Sequence, residues 1–375
     1  MTTISFVGDL CLLSPNDIRI SEDFRKILSS EFNVLNFEIP LKAAGQSSII
    51  KSGPALYQSD GAPDWVENNG WNVISLANNH ALDFGEKSFM KTIKAFKHAT
   101  LIGVGNFSEA YKVKILNSKD GRKIGFLACT HREFGVLDDS SDNNRLGCAW
   151  ICHPEIVRNM LDARKEVDIL IAYVHAGVEG FDQPLPEWRR QYKHFVDLGC
   201  DAVIASHPHV PQGWELYNGK PIFYSLGNFC FQTKFHSSDS HWYESLGCVL
   251  SFDDSIKCSI ETYPLIYDDL NNEIRIDNRK VAIDHIGELN EVLNNDKKYW
   301  NYINTKLPLE FDTYMWLFSM SGMYRKLSFF TYLRHIMAKF LGRSPSMVHL
   351  LNNLQNESHR WSLERIIRIK ESVKF

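Results

Sequence analysis

The sequence lacks paired-cysteine spacing, long apolar runs and any excess of positive charge. Its eight cysteines, at positions 11, 129, 148, 152, 200, 230, 248 and 258, include no CxxC pair. Several sit inside apolar runs, as Cys129 does in Gly-Phe-Leu-Ala-Cys. This argues against a disulfide framework and predicts buried, reduced thiols in a cytoplasmic protein. Cys148, Cys152 and His153 form one weak zinc grouping. No run of about 18 apolar residues occurs, so no membrane-spanning helix is expected. The first residues carry neither a basic segment nor a long apolar one, so no signal peptide is expected. A formal net charge of −4 over 375 residues excludes a broadly basic surface, and with it nucleic-acid binding as the main task. Internal repeats and low-complexity tracts are absent.

What is present is an ordinary globular composition, 44% hydrophobic and 23% charged. Short runs rich in Ile, Val and Phe occupy positions 4–7, 34–37, 73–76, 123–129, 169–174, 202–205 and 222–226. Bounded by Gly, Asp or Asn, they predict buried strands. Helical patterns cover 17–32, 86–98, 153–166 and 186–198, the last with Pro186 at its start and Gly199 just past its end. This alternation predicts an α/β fold with helices flanking a largely central sheet. Alternating runs at 246–252 and 258–265, joined by Asp253-Asp254-Ser255, predict an antiparallel hairpin. Beyond the hairpin the patterns at 283–293, 316–341 and 346–373 are helical. The expected division is therefore residues 1–280 as one domain and 281–375 as a helical extension.

Polar residues gather where the predicted strands end. Asp9 closes the first, Asn36 and Glu38 the second, and Asn78, Asn79 and His80 the third. His175 and Glu179 follow the run 169–174, and His207 and His209 the run 202–205. Ligands of open α/β sheets bind outside those strand ends, so five distant segments would deliver donors to one edge. Carboxylate, imidazole and carboxamide donors suit Mn²⁺, Fe or Zn²⁺ better than Ca²⁺. One or two such ions clamping a phosphoryl group define a metal-dependent hydrolase.

As an ordered set, Val-Gly-Asp (7–9), Asn-Phe-Glu (36–38), Ala-Asn-Asn-His-Ala-Leu-Asp-Phe-Gly (77–85), His-Ala-Gly-Val-Glu (175–179), Ser-His-Pro-His-Val-Pro-Gln (206–212) and Ser-Leu-Gly-Asn-Phe (225–229) resemble the CapA family. These are capsule and poly-γ-glutamate biosynthesis proteins related to calcineurin-like metallophosphatases. The resemblance covers roughly residues 3–265 and implies a four-layer α/β/β/α sandwich with metal ligands on the loops after the strands. It implies that Asp9 and His209 bind a first metal, and Asn79, His175 and His207 a second, with Glu38 between them. His80 matches the histidine that protonates the leaving group or holds the scissile phosphate, and Asp83 would orient it; the bland alternative for Asp83 is a helix N-cap. Asn36, Asn78, Glu179 and Gln212 are expected around the ligands or against substrate, with a loop-bracing amide the alternative for Gln212. Related phosphatases open with Asp-x-His, whereas this chain has Asp9-Leu10-Cys11; a Cys11 thiolate would be an unusual ligand in this setting, so a weakly held first metal is expected.

The implied activity is phosphoester hydrolysis on a phosphorylated small molecule or polymer. Two alternatives stand beside it: metal-dependent amide chemistry on poly-γ-glutamate, and a non-catalytic polymer-binding or assembly subunit. Residues 322–375 hold ten Lys or Arg against three Glu. Within them 325–343 is basic and aromatic, readable as a helix packed on the core or as a peripheral contact with the inner membrane face. The sequence assigns no oligomeric state.

Overall fold

The computed structural model describes residues 1–142, 144–233, 241–318 and 347–371. Two sheets pack face to face with helices outside each, so the chain forms the α/β/β/α sandwich that the resemblance implies rather than a single central sheet. In the first sheet, Thr2–Cys11 lies at the centre. It is flanked by parallel Phe32–Phe37, Val73–Ser75 and Thr100–Ile102 on one side and by the antiparallel hairpin Glu244–Phe252 and Cys258–Asp268 on the other. The second sheet carries Lys123–Thr130, Ile169–His175, Ala202–Ser206 and Lys220–Leu226 in parallel, with Pro211–Tyr217 and Lys114–Asn117 antiparallel at its edges.

Side chains alternate along a strand, and the second sheet uses both faces. Ile169, Ile171 and Tyr173 enter the core between the sheets, while Leu170, Ala172 and Val174 pack beneath the outer helices Pro154–Arg164 and Pro186–Asp197. This explains why these strands read as continuous apolar runs instead of alternating ones. The outer face of the first sheet is covered by the short helices that carry Phe24, Trp65 and Phe89. Beyond Lys280 the chain is helical among the described residues, and Ile286, Leu289, Leu293, Tyr299 and Ile303 join the same cores.

Three local expectations change. The segment 17–32 is not one helix: Arg19–Ile20 pairs with Glu273–Ile276, and only Glu22–Ile27 is helical. Edge pairing wins because Arg19 N–H and Ser21 N–H find the Asn272 and Ile274 carbonyls at 2.9 and 3.0 Å. The last helical stretch is divided into Met347–Gln355 and Glu357–Lys370, because the Asn356 side chain caps the second helix at His359 N–H, 3.2 Å away. Strand Pro211–Tyr217 was not expected, although Asn218-Gly219, both with positive φ, is a hairpin signal that joins it to Lys220–Leu226. The basic stretch 325–343 lies outside the described residues, among which no helix is long and apolar enough to cross a membrane.

Candidate metal centre

The C-terminal ends of Thr2–Cys11, Phe32–Phe37, Ile169–His175 and Ala202–Ser206 meet where the two sheets adjoin, and the loop after Val73–Ser75 closes over them. Bringing the first strand close requires glycine. A Cβ at Gly8 would stand 1.8 Å from the Gly227 carbonyl oxygen, and that oxygen accepts from Asp9 N–H at 3.0 Å. Gly227 itself has φ +72°. Asp9 is thereby fixed. Its Oδ1 accepts from Asn36 Nδ2 at 2.7 Å and its Oδ2 from His207 N–H at 3.0 Å.

The expected ligands converge. His175 Nε2 lies 3.0 Å from Asn79 Oδ1, 3.1 Å from His207 Nδ1 and 3.8 Å from Glu38 Oε1. His209 Nε2 lies 3.7 Å from the same Glu38 oxygen, and Asp9, Glu38 and His209 offer donor atoms all within 4.8 Å of one another. Atoms held at about 2.0–2.2 Å by one tetrahedral or octahedral ion sit roughly 3.0–3.6 Å apart. The cluster therefore has the dimensions of a cation site, with Glu38 common to both halves.

The electrostatics point the same way. Both Glu38 oxygens are buried with no hydrogen-bond partner among the described residues. Burial, then the charges of Asp9, Glu179 and Asp83, push its carboxyl well above the ordinary range. Asp9 feels the same burial, but the hydrogen bond and charge of His175, with His209 and Asn36, hold its carboxyl below its usual value. Burial lowers the pKa of His175, against the opposing pull of Asp9, and that of His207 more strongly, the direction that favours the uncharged imidazole whose lone pair a cation can take.

Surrounding contacts orient the donors. Asn228 Nδ2 donates to the Trp242 carbonyl at 3.0 Å, leaving Oδ1 to accept from His209 Nδ1 at 2.9 Å. This tautomer leaves the Nε2 lone pair of His209 toward Glu38. His207 and His209 take φ +103° and +60° around Pro208, a strain of about 1–3 kcal/mol each that the packed site sustains. Asn78 braces the second strand through Asn36 Oδ1 and the Phe37 carbonyl, and its own Oδ1 accepts from His80 N–H at 3.1 Å.

His80 Nδ1 stands 2.7 Å from Asp83 Oδ2. Asp83 also accepts from Leu56 N–H at 2.8 Å and pairs with Lys51. The N-cap alternative for Asp83 is set aside: helix Gly85–Ala95 has Phe84 at its cap with no side-chain bond. With Nδ1 engaged, Nε2 of His80 is the nitrogen available to a substrate oxygen.

Three further residues stand apart from the ligand cluster. Gln212 is buried and its Nε2 donates to the Phe181 carbonyl at 2.6 Å, the loop-bracing contact of the alternative reading. Glu179 is exposed on a cavity wall and reaches Glu38 through its charge, not through a contact with a ligand. Cys11 lies in a separate apolar cluster with Ile39, Phe231 and Trp242, and burial followed by the charge of Glu38 raises its pKa, leaving a neutral thiol. The weak zinc grouping does not form either: Cys148 Sγ faces the Leu76 carbonyl while His153 caps helix Pro154–Arg164.

Sequence reasoning missed His131, which directly follows strand Lys123–Thr130 and so satisfies the strand-end rule used for the other donors. It is fully buried, its ring lies 4.3 Å from that of His207, and neither nitrogen has a hydrogen-bond partner among the described residues, Nε2 standing 3.7 Å from Glu133 Oε1. Burial lowers its pKa to about 4. Lys51 was also missed, and Asn228, within the motif 225–229, was read as part of a turn and not as the partner of His209.

A cavity of about 840 Å³ opens beside His207, bordered by Glu133, Glu179, Asp182 and Glu310, with Asn356 and His359 from the C-terminal helices. A smaller surface hollow of about 560 Å³ near Arg189 and Trp300 lies away from this chemistry.

The comparisons with known proteins agree with the motifs. The model of a family described as bacterial capsule synthesis protein PGA_cap matches residues 3–233. Capsule biosynthesis protein CapA of Bacillus anthracis is 29% identical over 213 residues, covering 54% of this chain and 51% of that protein. PGA biosynthesis protein CapA of Bacillus subtilis (strain 168) is 31% identical over 207 residues, covering 54% of each. The chain thus spans about half the length of the curated relatives it matches. Among solved structures, a 5'-nucleotidase from Candida albicans SC5314 aligns with TM-score 0.42 at 11% identity, over 76% of this chain and 57% of that one. A likeness at that level says nothing about chemistry. The family match spans well over half the sequence and takes in every strand-end motif described above, and the chain belongs to the PGA_cap family of bacterial capsule synthesis proteins.

Proposed function

We propose that this protein is a metal-dependent phosphoester hydrolase serving capsule or poly-γ-glutamate synthesis. The observation that carries the reading is Glu38: a carboxylate with both oxygens buried and unpartnered, ringed by neutral imidazoles and a carboxamide. A buried charge without a partner is costly, and a cation is the counterpart that this donor set fits. Asp9, Glu38 and His209 would hold one ion of the Mn²⁺, Fe or Zn²⁺ class; Asn79, His175 and His207 would hold a second, with His131 adjacent. Such ions supply Lewis acidity and a bound water of lowered pKa.

The chain's own residues do the rest. Asn36 and Asn78 hold the acidic strand ends in register, and Asn228 sets the tautomer of His209. His80, steadied by Asp83, delivers a proton from Nε2 to the departing oxygen. The leaving group is accommodated in the 840 Å³ cavity, a size suited to a small molecule. Four carboxylates border it and no Lys or Arg does among the described residues, which disfavours a polyanionic chain along that wall and favours a neutral or amine-bearing leaving group.

The test is turnover of an aryl phosphate with Mn²⁺ by the parent, Asp9→Asn and Glu38→Gln chains. Loss of turnover in both variants is expected; equal rates in all three overturn the reading. Cleavage of poly-γ-glutamate without phosphoester cleavage moves the reaction to amide bonds.

A further inference from the structure

Outside the centre described above, one other group of side chains has the composition of a transition-metal site. His241 and Glu244 stand at the start of strand Glu244–Phe252, and His285 projects from helix Lys280–Leu293. Their donor atoms all lie within 4.8 Å of one another. Glu244 Oε2 is 2.7 Å from His241 Nδ1 and 3.4 Å from His285 Nδ1. The two imidazoles stack with ring centroids 4.3 Å apart and planes 29° from parallel, so both offer Nδ1 to the same carboxylate.

We propose that His241, Glu244 and His285 bind a second class of metal, a single Zn²⁺-type ion that fastens helix Lys280–Leu293 to the start of strand Glu244–Phe252 in the first sheet. Two imidazoles and one carboxylate match three-ligand zinc sites with an open fourth position. Ligands bound at about 2.0–2.1 Å to a tetrahedral ion are roughly 3.3 Å apart, so the 3.4 Å pair needs no movement and the 2.7 Å pair only a small one. The three side chains are 37%, 21% and 19% exposed, enough for an ion to enter. The local field favours a cation, because Asp182 and Glu288 both act on His285. His241 and Asp182 also border the large cavity, so the site adjoins it. The spacing has a structural consequence. His285 lies in the C-terminal helical region, beyond residues 3–233 that the family model matches, so the ion would tie that region to the sandwich.

This site stands independently of the hydrolase reading, and the experiment separates them. The metal-depleted full chain is titrated with Co²⁺ and with Zn²⁺, and bound ions are counted by plasma mass spectrometry. His285→Ala and Glu244→Gln are each expected to bind one equivalent fewer than the parent. A chain carrying both Asp9→Asn and Glu38→Gln is expected to keep that equivalent, whose Co²⁺ form shows the visible bands of a low-coordinate His/carboxylate site. Unchanged ion content in His285→Ala and Glu244→Gln overturns the proposal. So does the absence of any bound ion in the Asp9→Asn, Glu38→Gln chain, a result that stays decisive if the His285 variant fails to fold.

Discussion

Glu38 Oε1 faces His209 Nε2 across 3.7 Å, too far for a hydrogen bond and close to the spacing of two ligands on one ion. The same carboxylate lies in the field of Asp9, so the metal-free fold carries two buried acids side by side.

Neutralising that carboxylate should therefore separate stability from binding. In metal-free buffer Glu38→Gln is expected to be about 1–3 kcal/mol more stable than the parent, the scale of one buried unsatisfied polar group. Added Mn²⁺ should raise the Tm of the parent and not of the variant. Because burial raises the pKa of Glu38, the metal-free parent gains most below the unfolded value of 4.5 and loses stability as pH rises through the folded value. Thermal melts across that range should show the fall in the parent alone.

Removing the proton donor should spare the metals. His80→Ala is expected to lower kcat by about 10²–10⁴-fold with ion content unchanged. Asp83→Asn should move kcat in the same direction, since Asp83 Oδ2 holds His80 Nδ1 at 2.7 Å. A parallel loss of bound metal would assign His80 to the ligand set instead.

Asn228 touches no expected metal position, yet it orients His209. Asn228→Ala should weaken metal binding by about 10–100-fold. The check is a competition titration against a chromophoric chelator; unchanged affinity would leave Asn228 as a brace for the Trp242 carbonyl only.

Away from the site, Glu215 links helix Pro186–Asp197 to strand Pro211–Tyr217 by a two-pronged bond to Arg189, at 2.7 Å for each oxygen, with Tyr224 as a third donor. Burial raises its carboxyl, but these donors outweigh burial and hold it below 4.5. A depressed carboxyl contributes stability above its unfolded pKa, and that contribution is lost as pH falls below about 4.5. Glu215→Ala should cost about 3 kcal/mol at pH 7, because Arg189 loses its two-pronged partner and keeps only the Leu293 carbonyl at 2.9 Å and Asp296 at 3.6 Å, and much less at pH 3.

Helix Glu357–Lys370 is anchored by Glu357, whose oxygens accept from Arg132 N–H and Trp150 Nε1–H, each at 2.8 Å. Glu357→Ala leaves both donors unsatisfied and should cost about 2–4 kcal/mol in a denaturant melt. A change under 1 kcal/mol would show that water replaces the carboxylate freely.

The sequence by itself determined the central buried strands and the identity of the donors. Runs such as 169–174 and 202–205 are apolar on both faces because a parallel sheet between layers is buried on both, and that signal is local. The polar residue after each run is equally local, which is why Asp9, Glu38, Asn79, His175, His207 and His209 were legible, and why His131 should have been. Only the tertiary structure decided what those residues face. Whether Gln212 meets a substrate or the Phe181 carbonyl, whether Asp83 caps a helix or holds His80, and whether Cys11 reaches the centre all depend on loops packed across two sheets. Such contacts join residues tens to hundreds of positions apart, as Asn36 and His175 or Glu244 and His285 are joined, and no periodicity along the chain encodes them.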